Sequence, residues 1–347
     1  MSDPAPPPDL RPIHALLQGL IDYAGLFPPA KLSMEAATRN YADYLRSPHS
    51  WMLGRFICPV SRLEEFRKAT RELLPRIAPG GAAPPRGPVE LNGMVPDTHE
   101  HHADQPWPMS VLIDGDLDEN LDAVFAFNHE HSKPDNGLAV VDAVEIKVPF
   151  GPGDSGGVFI DEALDLIPEE VFPFFEIAVQ GDVADPSPPD FRGLIAALSG
   201  SDAGAKIRTG GITPDAFPPV ERVADFIAAC HAADVPFKAT AGLHHAVRAE
   251  HPLSYEPGCP RGTMHGFLNV FVAAALLRSG KIDAAMAADV LREADGKTFV
   301  FGERELVYRS VAVEATDIGV ARETFALSFG SCSFDEPVGE MKQFGVV

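Results

Sequence analysis

The sequence contains few cysteines, and none of them forms a paired motif. Its four cysteines, Cys58, Cys230, Cys259 and Cys332, lie far apart, and no CxxC pair occurs. A disulfide framework or a structural zinc site requires thiols at closer and more regular spacing, so the pattern argues against both. We therefore expect a reducing compartment, by default the cytoplasm.

Basic residues are also scarce. The chain has 28 Lys and Arg residues against 50 Asp and Glu residues, a formal net charge of −22. A surface this acidic repels phosphate backbones and anionic lipid head groups. The composition therefore disfavours general binding of nucleic acids or of membrane surfaces. It predicts small molecules, or further copies of the chain in a homo-oligomer, as partners.

Long apolar runs and nucleotide-binding motifs are missing. The longest strongly apolar stretch covers the 11 residues from Phe267 to Leu277 and includes Asn269, which is too short to cross a bilayer. The first ten residues contain neither the basic nor the apolar region of a secretory signal. Neither GxGxxG nor GxxxxGKS/T follows a predicted strand, so we predict no nucleotide and no other cofactor.

Glycine and proline, with 30 and 33 residues, mark the breaks between regular elements. Prolines are dense near the start, and we expect residues 1–12 to form a disordered tail. Residues 13–347 are predicted to form a single domain. Two stretches of this domain, 79–108 and 281–315, are predicted to be insertions, the second containing a helix and a hairpin before the last strand.

Short β-rich apolar runs alternate with helical patterns along the chain, and this alternation is typical of βαβ units. Two helix starts carry capping signals, Ser33 for one and Ser61 with Glu64 for the other. Eight such alternations in one chain favour a closed (β/α)₈ barrel, the TIM barrel, over an open sheet. The eight predicted strands are Leu20–Ala24, Leu53–Cys58, Met109–Ile113, Val140–Val148, Phe172–Ala178, Ala205–Arg208, Pro236–Thr240 and Ala326–Phe329.

Alternate residues of a barrel strand face the helices or the interior, so the side with apolar residues identifies the outward face. In the fourth strand Val144 and Ile146 are predicted to face outward, and the same alternation places Asp142 outward. The polar residues between the apolar ones are then directed inward, toward the carboxyl ends of the strands where barrel enzymes assemble their sites. These residues are Arg55, Glu145, Lys147, Glu176, Lys206, Arg208, Lys238 and Thr240.

Two lysines of this set lie on the consecutive sixth and seventh strands. Lys206 and Lys238 are expected to converge, and a lysine held among cations and apolar walls has a lowered pKa that makes it a nucleophile. Such an amine suits imine chemistry on a carbonyl substrate, with either lysine as the nucleophile. Glu145 and Glu176 are candidates for proton transfer, or for neutralising the lysines and keeping them inert.

Loop residues at the same end of the predicted barrel complete the candidate site. Glycines and hydroxyls after the last three strands offer donors to an anionic group of the substrate, although the glycines also suit tight turns. His244 and His245 follow the seventh strand, and one of them is a candidate general acid or base. The candidate anion-binding residues are Arg55, Lys147, Arg208, Gly210, Gly211, Thr240, Gly242, Ser331 and Ser333.

The segments AKIRTGG and VPFKATAG resemble the sixth and seventh strands of class I aldolases of the deoxyribose-phosphate aldolase type. The resemblance implies that Lys206 is the Schiff-base lysine and that Lys238 tunes it. It also implies, by local similarity, that Asp142 corresponds to the aspartate on the fourth strand of that family. The segments FKATAGLHHAVR, IDYAGLFPPA and FGSCSFDEP are in addition similar to a bacterial protein family to which no reaction is assigned.

Three functions follow as hypotheses. The leading one is a barrel enzyme of the lyase or aldolase type that acts on a small anionic carbonyl compound through a lysine imine, without metal. The first alternative is a metal-dependent hydrolase or isomerase with Glu and His ligands. The second is a non-catalytic barrel that binds a metabolite, in which Lys206, Arg208 and Lys238 are each paired by carboxylates and no pocket opens at the mouth.

Overall fold

A computed structural model describes residues 11–76, 105–149, 156–180 and 190–345. Among these residues eight parallel strands close into a barrel in the order β1, β13, β7, β6, β5, β4, β3, β2. The barrel strands are β1 Ile21–Tyr23, β2 Leu53–Pro59, β3 Trp107–Leu112, β4 Ala139–Lys147, β5 Phe172–Glu176, β6 Gly204–Arg208, β7 Phe237–Thr240 and β13 Ala326–Ser331. The predicted (β/α)₈ fold is confirmed, and each predicted strand overlaps one barrel strand.

Helices follow or precede the barrel strands and bury their apolar sides against the barrel. The described helices are α1 Pro12–Leu17, α2 Met34–Tyr44, α3 Leu63–Thr70, α4 Leu117–His131, α5 Gly156–Leu166, α6 Arg192–Ala197, α7 Val220–Ala233, α8 Phe267–Arg278, α9 Ala284–Arg292, α10 Ala315–Thr324 and α11 Asp335–Gln343. None of them is both long and apolar enough to span a membrane.

Two small antiparallel sheets extend the barrel. Strands β8 Ala249–Pro252 and β9 Arg261–Met264 form a hairpin between β7 and α8 that the sequence did not predict. Strands β10 Phe299–Phe301, β11 Glu305–Tyr308 and β12 Val311–Glu314 form a three-stranded sheet before the last barrel strand. The predicted helix and hairpin of the second insertion are present as α9, β10 and β11, and β12 adds a third strand.

Some predicted segments lie outside the described residues. Residues 1–10 of the predicted tail are among them, and so are residues 77–104, which make up most of the first predicted insertion. Residues 150–155 and 181–189, which follow β4 and β5 in the sequence, are also outside the described part.

One of the two predicted helix caps is confirmed. The side chain of Ser33 accepts a hydrogen bond from the backbone N–H of Ala36 at the start of α2. The capping box predicted for Ser61 and Glu64 is wrong, because the Ser61 hydroxyl donates to the carboxylate of Asp114, 2.5 Å away, and α3 begins without a side-chain cap.

Register shifts interrupt the barrel ladder and change which side chains face inward. Met109 of β3 pairs with Val141, but the next residue, Ser110, pairs with Ala143, so Asp142 is an extra residue in β4. Such a β-bulge turns the extra side chain away from its regular alternation. The outward placement predicted for Asp142 is therefore wrong.

Candidate active site

Five strands of the barrel direct charged side chains to one point in its interior. The ammonium group of Lys238 lies 2.6 Å from Asp22 Oδ2 and 2.7 Å from Glu145 Oε1. The ammonium group of Lys206 lies 2.6 Å from Glu145 Oε2 and 2.6 Å from Glu176 Oε2. Glu145 therefore bridges both lysines with its two carboxylate oxygens.

The strand register accounts for this convergence. Lys206 pairs with Glu176 on one side and with Lys238 on the other, so three charged side chains occupy one level of the barrel. Glu145 stands on the next strand beyond β5 and pairs with Phe174, whose ring lies 5.5 Å from the Lys238 ammonium nitrogen. The Lys238 ammonium group thus lies over the face of an aromatic ring, a favourable cation–π arrangement.

Hydroxyl groups also donate to the carboxylates of this group. Ser110 donates to Glu145 Oε1 over 2.8 Å, and Ser328 donates to Asp22 Oδ2 over 2.8 Å, the same two oxygens that contact Lys238. Buried charges are tolerated when they are paired and hydrogen-bonded. We call the group of Asp22, Glu145, Glu176, Lys206 and Lys238 the lysine cluster, and each of its charged groups is paired with at least one opposite charge.

The electrostatics of the lysine cluster favour its charged form. Burial alone raises the pKa of Glu145, but the neighbouring ammonium groups outweigh it and hold that pKa well below its ordinary range. Burial alone lowers the pKa of Lys206, but Glu145 and Glu176 outweigh it and raise that pKa above 10.5. The expectation of a lowered pKa is therefore wrong for Lys206, because two carboxylates and not cations are its nearest neighbours.

A second ion pair lies beside the lysine cluster. The Arg55 guanidinium donates to both oxygens of Asp142, over 2.7 and 3.0 Å. The backbone N–H of Arg55 donates to Asp22 Oδ1 over 2.7 Å, which joins this pair to the lysine cluster. The guanidinium is thus engaged by a carboxylate of its own chain, and its role as an anion-binding group stays a prediction that this placement does not favour.

Arg208 and Lys147 lie at the rim of the barrel. Both residues are exposed, and the Arg208 guanidinium stands 4.0 Å from Glu176 Oε2, the outermost carboxylate of the lysine cluster. Thr240 pairs with Arg208 in the neighbouring strand and with Gly330 on its other side. Two cations therefore stand at the same end of the barrel as Glu176, with 54% of the Arg208 side chain exposed.

The predicted glycines pack against each other. A Cβ atom at Gly242, which has a φ of +74°, would lie 2.9 Å from the Cα of Gly210 and 2.8 Å from the ring of Phe217. A Cβ atom at Gly211 would lie 2.7 Å from the side chain of Ala216. These glycines permit two loops to touch, which matches the alternative reading of them as turn residues; anion binding by them stays a prediction.

The two histidines after β7 make separate contacts. His244 is buried, and its Nδ1 atom lies 3.2 Å from Ser331 Oγ and 3.7 Å from Cys332 Sγ. Burial, followed by the charges of His245 and His251, lowers the pKa of His244 to about 4. His245 Nδ1 lies 2.5 Å from Glu340 Oε1 on α11.

Within the described residues, neither histidine forms a hydrogen bond or an ion pair with the lysine cluster. Ser331 donates to the carbonyl oxygen of Ser333 over 2.6 Å, so this hydroxyl is also engaged locally. A general acid or base role for His244 or His245 stays a prediction.

One member of the lysine cluster, and the neighbour of one cysteine, were not predicted from the sequence. Asp22 lies between Ile21 and Tyr23, which face the helices, so the alternation used for the other strands was available for it as well. Cys332 contacts His244, which lies on the neighbouring barrel strand's loop and far away in the sequence. Only the strand order brings those two residues together.

Metal coordination receives no support from the described side chains. Within residues 11–76, 105–149, 156–180 and 190–345, no group of three or more His, Cys, Asp or Glu residues is arranged to hold an ion. The metal-dependent alternative thus stays a prediction. Comparison of the chain with protein-family models, with curated proteins and with solved structures gave no match.

Proposed function

We propose that this protein is a lyase that forms an imine between Lys206 and the carbonyl carbon of a small anionic substrate. The observation that carries the proposal is the bridging of Lys206 and Lys238 by Glu145, at 2.6 and 2.7 Å, inside the end of a barrel. Paired lysines with a shared carboxylate can exchange a proton, which imine formation requires at several steps. The fourth-strand carboxylate in this role is Glu145, and not Asp142 as the aldolase resemblance implied.

The neighbours of the two lysines support different roles for them. The Lys238 side chain is fully buried between Asp22 and Glu145, whereas Lys206 contacts Glu176, which is 15% exposed and lies toward Arg208 at the rim. A substrate entering at the rim meets Glu176 and Lys206 first. Lys206 is therefore the nucleophile, and Lys238 holds Glu145 in its charged form.

The resting cluster must release a proton before it reacts. Glu145 and Glu176 favour the ammonium form of Lys206, so the proton passes to one of these carboxylates as the carbonyl group arrives. The free amine then adds to the carbonyl carbon, and the carbonyl oxygen takes up two protons and leaves as water. The resulting iminium accepts the electron pair of the carbon–carbon bond that breaks and becomes an enamine, while a carboxylate takes the hydroxyl proton of the fragment that leaves as a carbonyl compound. Return of that proton to the enamine carbon gives the product iminium, and its hydrolysis restores Lys206.

The rim supports the proposal of an anionic substrate. Lys147 and Arg208 are exposed at the same end of the barrel, on a chain whose formal net charge is −22. A local cationic site on an acidic surface attracts anions to the place where it can orient them. We expect a carboxylate or phosphate of the substrate to contact Arg208 while its carbonyl group approaches Lys206.

Reductive trapping tests the proposal. The protein is incubated with small hydroxyaldehydes and 2-oxo acids, reduced with borohydride, and digested for mass spectrometry. We expect a single preferred adduct on Lys206, formed faster as the pH rises because the ammonium group must lose its proton. Lys206→Arg keeps the positive charge but cannot form the adduct, and Lys68→Met removes an exposed lysine as the matched control.

A folded protein that gives no Lys206 adduct with any carbonyl compound across the alkaline range contradicts the proposal. That result favours the non-catalytic barrel, the second candidate function. The observation behind it is that each ammonium group of the lysine cluster is contacted by two carboxylates. In that case Lys206→Arg changes the stability of the protein but not its reaction with carbonyl compounds.

A further inference from the structure

The hairpin of β8 and β9 covers a cavity that the proposed function does not use. The cavity has a volume of ≈ 540 Å³ and lies between this hairpin, the segment after β7 and α11. His244, Tyr255 and Glu336 line it, and none of its described lining residues belongs to the lysine cluster. It opens at the end of the barrel where the loops after β7 and β13 meet.

A stack of two imidazole rings ties the hairpin to the rest of the protein. The ring of His251 on β8 lies 3.3 Å from the ring of His245, centroid to centroid, with an angle of 9° between the planes. His245 in turn lies 2.5 Å from the Glu340 carboxylate, whose other oxygen accepts the backbone N–H of Ala246 over 2.6 Å. Most residues of β8 and β9 are exposed, and this stack is one of the contacts that hold the hairpin, beside the buried side chains of Leu253 and Met264.

A positive charge on His251 is costly while the two rings are stacked. The Glu340 carboxylate on α11 is already held by His245 and by the backbone N–H of Ala246, and Arg261 of β9 adds a positive charge that acts on His251. Within the described part of the chain, the Nε2 atom of His251 is buried without a hydrogen-bond partner, so no described acceptor stabilises a proton there.

We propose that protonation of His251 separates the stacked rings and releases the hairpin, so that β8 and β9 form a pH-sensitive cover over the cavity. Burial and then the charge of His245 lower the pKa of His251 from 6.5, which means that the closed form binds fewer protons than the open one. The closed form is therefore at its most stable above pH 6.5 and loses stability as the pH falls below that value.

Cys332 reports the position of the cover. This residue is 4% exposed, and its thiol lies 3.8 Å from the hydroxyl of Tyr255, which stands between β8 and β9. Cys58 on β2 and Cys230 on α7 are buried elsewhere in the same molecule, whereas Cys259 in the hairpin loop is already partly exposed and is not used as a reporter. Of the three buried cysteines, opening of the hairpin uncovers Cys332 alone, whereas general loosening of the protein uncovers all three.

The test measures thiol modification of the full chain by 4,4′-dithiodipyridine at about pH 7.5 and about pH 5. Mass spectrometry assigns the rate at each cysteine, and division by the rate in denaturant at the same pH gives a protection factor. We expect the protection of Cys332 to fall roughly tenfold or more at the lower pH, and that of Cys58 and Cys230 to stay constant. His251→Phe keeps an aromatic ring in the stack but cannot take up a proton, so it should abolish the fall in the protection of Cys332.

Variants of the other titrating groups distinguish their effects from that of His251. His244, whose pKa burial lowers to about 4 in the closed form, would also take up a proton below pH 6.5 if opening exposed its ring, so His244→Asn is measured as well and should keep the response. Glu336→Gln, which replaces a carboxyl group whose pKa burial raises, should keep it too. The proposal is overturned by constant protection of Cys332, by a fall shared with Cys58 and Cys230, or by a His251→Phe variant that keeps the response. If that variant does not fold, the comparison of the three cysteines in the unaltered protein still decides.

Discussion

Arg55 and Asp142 form a two-pronged ion pair inside the barrel, although strand β3 separates the strands that carry them. Each of the two residues stands at a β-bulge. In β2, Ile21 pairs with Leu53 and Tyr23 pairs with Phe56, so Arg55 and its neighbour face a single residue, Asp22. The two bulges turn Arg55 and Asp142 toward each other at the edge of the lysine cluster.

The bulge in β4 depends on one asparagine of α4, which provides the first prediction. Asn128 donates to the carbonyl oxygen of Val141 and accepts from its N–H, both over 2.8 Å. We expect Asn128→Ala to lower the free energy of unfolding by about 2–3 kcal/mol, because two backbone groups lose their partners. Asn128→Asp keeps only the acceptor, so its free energy of unfolding should lie between those of the unaltered protein and of Asn128→Ala. Urea unfolding measures both variants. Equal stability of the three proteins would contradict the bulge's dependence on this side chain.

These bulges also show where prediction from the sequence succeeds and where it fails. Short β-rich apolar runs between helical patterns predicted all eight strands, and the alternation within the strands directed Glu145, Lys206 and Lys238 inward, because apolar residues flank each of them. It failed at Asp142, since a parity rule assumes an unbroken ladder and a bulge leaves no signal in the residue types.

The ion-pair partners of these side chains were harder to predict than the direction in which the side chains point. The sequence indicated that the lysines converge, but it did not show that carboxylates would contact each ammonium group, because that depends on the register between strands. The β8–β9 hairpin was missed for a different reason. Its strands are largely exposed and therefore carry no apolar alternation.

The second prediction concerns the acid stability of the barrel. The folded-state pKa of Glu145 lies far below its ordinary 4.5, so its attraction to the lysines stabilises the fold fully above pH 4.5 and is lost as the pH falls further. We expect Glu145→Gln to lower stability at neutral pH by about 3–5 kcal/mol and to flatten the loss below pH 4.5. Urea unfolding at a series of pH values tests this. Glu64→Gln on α3, with 65% of its side chain exposed, is the control and should change stability by less than about 1 kcal/mol. An unchanged acid slope in Glu145→Gln would contradict the assignment.

The third prediction separates backbone strain from close packing at a glycine. Gly242 and Gly200 both have positive φ angles, +74° and +78°, but only Gly242 has neighbours within 4 Å of a Cβ position. Gly200→Ala should lower the free energy of unfolding by about 1–3 kcal/mol, the cost of the left-handed backbone. Gly242→Ala should cost more, because the added methyl group meets Phe217 and Gly210. Thermal and urea unfolding compare the two variants, and equal losses would show that the loops after β6 and β7 can move apart freely.

The last prediction concerns the opposite end of the barrel, where Arg322 of α10 is buried without a carboxylate partner among the described ion pairs. Its guanidinium donates to the carbonyl oxygens of Leu16 and Gln18 near the end of α1, and to those of Ala326 and Leu327 at the start of β13. The side chain thus joins the first helix to the last strand, where the barrel closes.

Arg322→Met fills a similar volume but leaves these carbonyl oxygens without donors, so we expect a loss of about 3–5 kcal/mol in the free energy of unfolding. Arg322→Lys restores part of the donors and should lose less, whereas Arg39→Met on the exposed side of α2 should stay within about 0.5 kcal/mol of the unaltered protein. Urea unfolding gives all three values. The lysine cluster lies inside the same barrel, and we expect Arg322→Lys still to form the adduct on Lys206. If Arg322→Lys lost that adduct while its stability stayed unchanged, closure of the barrel at Arg322 would also determine the position of the lysines.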